Sequence, residues 1–192
     1  FLTDVAGNIN PLNITHFRDA AFEPAPTINV IVDTVPPVLS VDDSVIYTKG
    51  TTKTEAEFFV DANAQLNEPG TITSNFDTAV SLDVAGVYVV TLNATDTAGN
   101  ISNTETTKVI VTDAPNTVID STNEEMIRAY GFTINLSDIA GSDFVALANA
   151  AAWNLVDASN VPVTLGGSVP TTSGTHQVTY KTAKGTNITV DV

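Results

Sequence analysis

The chain has 192 residues and a net charge of −15, from 22 Asp and Glu against 7 Lys and Arg. A field of that sign repels phosphate backbones and anionic headgroups, so nucleic acid and membrane surfaces are poor partners. The absence of cysteine removes disulfide scaffolds and thiolate chemistry, and no stretch approaches the roughly 20 apolar residues of a membrane span. Hydrophobic residues, at 43%, suffice for a core. Phe1 leads directly into a polar, turn-rich segment rather than a signal peptide.

In chain order, the first distinctive run is Thr3-Asp4-Val5-Ala6-Gly7-Asn8, which returns as Thr95-Asp96-Thr97-Ala98-Gly99-Asn100. Each copy is followed by a similar strand, Asn29-Val30-Ile31-Val32 and Lys108-Val109-Ile110-Val111. The first copy carries an insertion from about Pro11 to Pro26, with Phe17 and Phe22. Residues 1–33 therefore read as the final hairpin of a preceding repeat. Asp33-Thr34-Val35-Pro36-Pro37 forms a stiff linker, because paired prolines cannot sit in a central strand.

Residues 34–112 read as one complete domain. Glu55 and Glu57 lie two apart in an expected strand, on one solvated side, ahead of Phe58-Phe59-Val60. Val87-Tyr88-Val89-Val90-Thr91-Leu92-Asn93-Ala94 and Thr107-Lys108-Val109-Ile110-Val111 alternate with period two, which places one face in a core and one in water. Turn clusters such as Asn67-Glu68-Pro69-Gly70 and Ala98-Gly99-Asn100 separate the strands.

Thr112-Asp113-Ala114-Pro115-Asn116 is the next linker, and residues 113–192 read as a second complete domain of nearly equal length. Here a helix is expected over 144–153, with Ser142 as N-cap, Asp143 at its positive end, and Phe144, Leu147 and Ala148 as its inward stripe. It would cover one sheet edge and end at Trp153. Strands resume at His176–Tyr180 and Asn187–Val192. Gly174-Thr175-His176-Gln177-Val178-Thr179 echoes Gly86-Val87-Tyr88-Val89-Val90-Thr91. The fold expected is mainly β: tandem Ig-like β-sandwich domains, the last with a short α-helix.

These runs resemble the bacterial Ig-like repeats of Gram-positive surface proteins. The likeness is to listerial cell-wall adhesins and internalin-type proteins, and it covers about residues 30–192. Gly131-Phe132-Thr133-Ile134-Asn135-Leu136 and Thr179-Tyr180-Lys181-Thr182-Ala183-Lys184-Gly185-Thr186 mark the last domain as a companion module of those proteins. The resemblance implies an extracellular, cell-wall-anchored setting, with anchoring through a region outside this segment. The expected partners are a host-cell or extracellular protein and the neighbouring repeats of the same chain.

The residues do not converge on catalysis, and neither enzyme activity nor a cofactor is expected. His16 and His176 are isolated, no elbow motif surrounds any serine, and two distant histidines do not make a zinc site. No metal is expected from the motifs, although Asp33, Asp96 and Asp113 at the junctions are oxygen ligands of the kind calcium takes. Lys49, Lys53 and Lys108 are the lysines to weigh for an intramolecular isopeptide bond, and nothing in the sequence marks them as buried. Trp153 is expected in core packing, and exposure would instead suit a sugar platform. The functional expectation is a non-catalytic stalk or adhesion module that spaces or presents a binding region. The alternative is a carbohydrate-binding accessory module of a secreted enzyme.

Overall fold

The computed structural model describes residues 32–192, together with the backbone of Leu2–Thr3 and Ile9–Asn10. The insertion, His16, Phe17 and Phe22 lie outside the described residues, as does most of the segment read as a preceding hairpin. The two short strands, β1 (Leu2–Thr3) and β2 (Ile9–Asn10), pair antiparallel with Thr3 opposite Ile9. The second copy of the repeated run has the same offset, with an antiparallel bridge between Thr95 and Ile101. The repeated sequence is thus a repeated reversal of the chain.

The chain is mainly β, with several sheets, consistent with a β-rich Ig-like fold. Its described strands fall into an upstream group (39–112) and a downstream group (117–191). The upstream group begins with β3 (Leu39–Ser40) and β4 (Ser44–Thr48). Next come α1 (Glu55–Asp61), β5 (Gln65–Leu66), β6 (Gly70–Ser74) and α2 (Phe76–Ala79). It closes with the long β7 (Gly86–Asp96) and β8 (Glu105–Thr112). A four-stranded sheet has the order β4-β8-β7-β6, with β4 parallel to β8 and the other pairs antiparallel. Alternation sets its inner face: Val90, Leu92 and Ala94 on β7 and Val109 and Val111 on β8 are buried. Against that face pack Phe58 of α1 and Phe76 of α2, their rings stacked at 4.5 Å.

The helix α1 corrects the expected strand at Glu55 and Glu57. Thr54 and Glu57 form a capping box: Thr54 N donates to Glu57 Oε2 at 2.8 Å, and Glu57 N to Thr54 Oγ1 at 3.3 Å. A helix separates the two carboxylates. Glu57 caps, while Glu55 Oε1 accepts from Ser74 N and Oγ. The upstream group is therefore not purely β.

The downstream group comprises β9 (Thr117–Asp120), β10 (Glu125–Arg128), α3 (Phe144–Leu147), β11 (Ala151–Asn154), β12 (Asn160–Val161), β13 (Thr164–Leu165), β14 (Gln177–Lys181) and β15 (Asn187–Asp191). They form one sheet in the order β12-β11-β10-β9 and another in the order β13-β14-β15. The expected helix to Trp153 is one turn long. Asp143, rather than Ser142, is the N-cap, its Oδ1 accepting from Val145 N and Ala146 N. Asn149 then adopts φ +45° and ends the helical path, and Ala151–Asn154 join β10 as strand. Pairing with β10 overrides the alanine propensity. Phe144 and Ala148 face the core as expected, but Leu147 is 47% exposed.

Buried Tyr180 donates to Phe144 O at 3.0 Å, and burial pushes its phenol up to about 12. A polar clasp ties β10 to the turn after β14: Thr182 Oγ1 donates to buried Glu125 Oε2 at 2.6 Å, with Lys184 Nζ 3.8 Å from Oε1.

Candidate functional site: the junction and the acidic pole

The strand β10 is buried along its whole length, because its two faces serve different cores. Ile127 points into the downstream cluster. Met126 points the other way, into a separate cluster with Val87 and Ile110, which are directly paired across β7 and β8. Ile119, Trp153, Leu155 and Ala158 complete it. The outer face of the upstream sheet, expected to be wet, is therefore covered at its end by the downstream group. Consecutive apolar residues Val109-Ile110-Val111 carried that signal, since burial of both faces removes the polar alternate.

Arg128 lies on the Met126 side and is also buried. Its Nη1 donates to Ala85 O of the upstream group at 2.6 Å, and its Nη2 donates to Asn149 Oδ1 at 3.2 Å. The guanidinium carbon lies 5.3 Å from the Trp153 ring centroid and 5.6 Å from that of Tyr130. Desolvation strengthens both cation–π contacts. Trp153 thus ends no helix. It sits on β11 opposite Met126, half-buried, with Arg128 over its ring.

A charged rim borders this apolar patch. Lys49 Nζ meets Asp113 Oδ2 at 2.9 Å, and Tyr130 OH donates to the same oxygen at 3.0 Å. The bond from Lys49, aided by Tyr130, holds the Asp113 carboxyl below the usual carboxylate range, and the bond to Asp113 raises Lys49. Lys49 N also donates to Thr112 O at 2.7 Å, so the chain is pinned where it leaves β8.

The three aspartates weighed as calcium ligands divide. Asp33 and Asp96 come together, joined by Glu68, with one carboxylate oxygen of each within 4.8 Å of the others. Asp113 is not in this group; it serves the junction. Glu68 was not singled out in the sequence, and the Gly70↔Asp96 register of β6 and β7 is what delivers it. Asp96 Oδ1 accepts from Ala98 N and Asn100 N, and Oδ2 from Asn100 Nδ2. Burial raises the Asp96 carboxyl, and the bonds from Asn100, Ala98 and Gly99 outweigh it, for a net lowering. The Asp96 carboxylate is thus engaged in closing the repeated turn.

The other singled-out groups have local partners. His176 Nε2 lies 2.9 Å from Thr172 O, and its backbone pairs in both directions with Val192. Lys53 meets Asp61 at 2.7 Å, while Tyr47 OH donates to the same Asp61 oxygen. Lys108 is half-buried on β8.

Residues 37–112 match the family model described as "Internalin K domain (D3/D4)". Internalin I of Listeria monocytogenes serotype 4b, strain F2365, is 43% identical over 84 residues, which is 43% of this chain and 5% of that protein. Internalin I of serovar 1/2a, strain EGD-e, is 39% identical over 87 residues, or 45% of this chain and again 5% of that protein. The matched stretch thus spans one-twentieth of either relative. The match over residues 37–112 and these identities show that part of this chain is similar to internalin-type proteins.

Proposed function

We propose that the chain is a non-catalytic, stiff spacer of an extracellular, cell-wall-anchored bacterial protein. It would hold a binding region elsewhere in the parent polypeptide toward a host or environmental protein. The unit boundary in this reading falls at Thr112–Asp113, where the match to the internalin-type domain also ends.

The observation that carries the reading is the junction. A flexible tether would leave the two groups separately solvated. Here Val87, Ile110 and Met126 share one buried cluster, and Arg128 reaches across to a backbone carbonyl of the upstream group. Breaking such contacts costs free energy at every bend, so the joint resists bending. Support for a non-catalytic role comes from where the carboxylates are spent: Asp61, Asp96, Asp113 and Asp120 each accept bonds from local structural partners. Arg128 over the Trp153 indole also occupies a ring surface that a sugar platform would need free.

Small-angle X-ray scattering tests this. A compact globule of 192 residues has a radius of gyration of about 16 Å. A spacer gives a clearly larger value and a distance distribution with a long tail. A value near 16 Å with a symmetric distribution contradicts it.

A further inference from the structure

The four-stranded upstream sheet has β6 at one edge and β4 at the other, and the two edges are finished differently. On β6, Asn75 N donates to Thr91 O, so the ladder alternation turns the backbone groups of Gly70, Ile72 and Ser74 outward. Glu55 Oε1 takes the outward Ser74 N–H at 2.9 Å, and Pro69 precedes the strand. A charge and a proline are common means of keeping an edge from pairing with another chain.

The β4 edge has neither device. At the two ends of its parallel pairing with β8, Lys108 N donates to Asp43 O at 3.1 Å and Lys49 N to Thr112 O at 2.7 Å. Val45 and Tyr47 therefore face β8 with their backbone groups, while Ser44, Ile46 and Thr48 turn theirs outward. Among the described residues nothing bonds the outward groups of Ser44 and Ile46, and Thr48 O accepts from Thr51 N of the following turn. The strand Ser44–Thr48 carries no charge in a chain of net charge −15. Ile46 is 56% exposed, on the outer face beside Ile110 of the junction cluster. The run is also complementary to itself, because Asp43 and Lys49 stand at equal distances either side of Ile46.

We propose that the β4 edge is a self-association surface whose occupant is the β4 edge of a second copy, paired antiparallel about a twofold axis at Ile46. The hydrogen-bond phase agrees. Each Ile46 N–H meets the Ile46 carbonyl of the other copy, and Ser44 exchanges bonds with Thr48 on both sides of the axis. The two Ile46 side chains pack together on the outer face. Asp43 of each copy stands opposite Lys49 of the other, and Lys49, with 39% of its side chain exposed, keeps ammonium protons for that carboxylate as well as for Asp113. A shift of register separates both charge pairs and the isoleucine pair, so the run selects its own copy in one alignment. One short strand pair covers much less than the roughly 1,200 Å² of a stable complex, so the association is weak and depends on concentration. It involves the free edge of the upstream sheet, not the joint, and is independent of the spacer reading.

Sedimentation equilibrium and hydrogen exchange on the 192-residue chain, over a concentration series reaching about 1 mM, test it. The mass should rise from one chain toward two. Over the same series the amides of Ser44 and Ile46 should slow severalfold, while those of Val45 and Tyr47, already bonded to β8, keep their rates. Ile46→Lys sets two like charges together at the axis and should hold the chain monomeric, with Val90 and Val109 amides still protected as the sign of an intact fold. Asp43→Lys should weaken the dimer severalfold. A mass of one chain throughout overturns the proposal. So does a dimer that survives Ile46→Lys or leaves Ser44 and Ile46 exchanging as before, which would place its interface elsewhere. Slow exchange at Ser44 and Ile46 at every concentration also overturns it, because the edge would then be occupied from within the same chain.

Discussion

The upstream and downstream groups solve the same packing problem with different materials. Upstream, an eleven-residue strand β7 runs through a continuous four-stranded sheet, and two phenylalanines from short helices fill its inner face. Downstream, two sheets of mostly short strands are held by Phe144 and Tyr180 and by a buried Glu125–Thr182 bond. A long ladder with an apolar face sets its own register. Short strands leave register less determined, and directional polar bonds supply what the ladder does not. The difference also explains why the downstream group leans on its neighbour: β10 is buried on both sides only because the upstream sheet covers one of them.

Four substitutions and a titration sharpen this contrast. The largest effect is expected for Phe58→Ala, which empties the centre of the upstream core and costs about 3–5 kcal/mol of stability. Denaturation followed at upstream amides should show the full loss. Arg128→Ala comes next, at about 2–4 kcal/mol, from a charged hydrogen bond and two desolvated cation–π contacts. Its signature is distinct from that of Phe58→Ala: exchange should accelerate on both sides of the junction, at Ala85–Val87 and at Met126. Thr54→Ala removes the capping box and should cost about 1 kcal/mol, confined to α1.

The smallest effect is the pH response of the Lys49–Asp113 pair. Asp113 titrates lower when folded, so its contribution is present above its unfolded pKa and disappears as pH falls through the depressed value. Lys49 titrates higher when folded, so its contribution is complete below its unfolded pKa and disappears as pH rises through the raised value. The rim should therefore hold across neutral pH and loosen at both extremes. Asp113→Asn should abolish the acid limb of that response. An unchanged acid limb in the variant would assign the response to other carboxylates.

Much of this molecule was legible in its sequence, and the exceptions have identifiable causes. The alternation of β7 and β8 marked their inner faces, and the repeated Thr-Asp-x-Ala-Gly-Asn run marked a repeated reversal. The capping box Thr54-Glu55-Ala56-Glu57 was also present in the sequence, but Phe58-Phe59-Val60 behind it suggested strand. At Ala148–Trp153 local propensity pointed to helix, and only the partner strand β10 decides otherwise. The junction was missed: the period-two reading of Thr107–Val111 leaves one face in water, whereas Ile110 on that face is buried with Met126. The meeting of Glu68 with Asp96 depends on strand register, which no local pattern encodes.

The central claim is that the two groups move as one body. Residual dipolar couplings of backbone amides, measured on the weakly aligned chain, test it most directly. Couplings from 39–112 and from 117–191 should fit a single alignment tensor, with the same magnitude and axes. Two tensors of different magnitude would show the groups reorienting independently and would contradict a stiff joint.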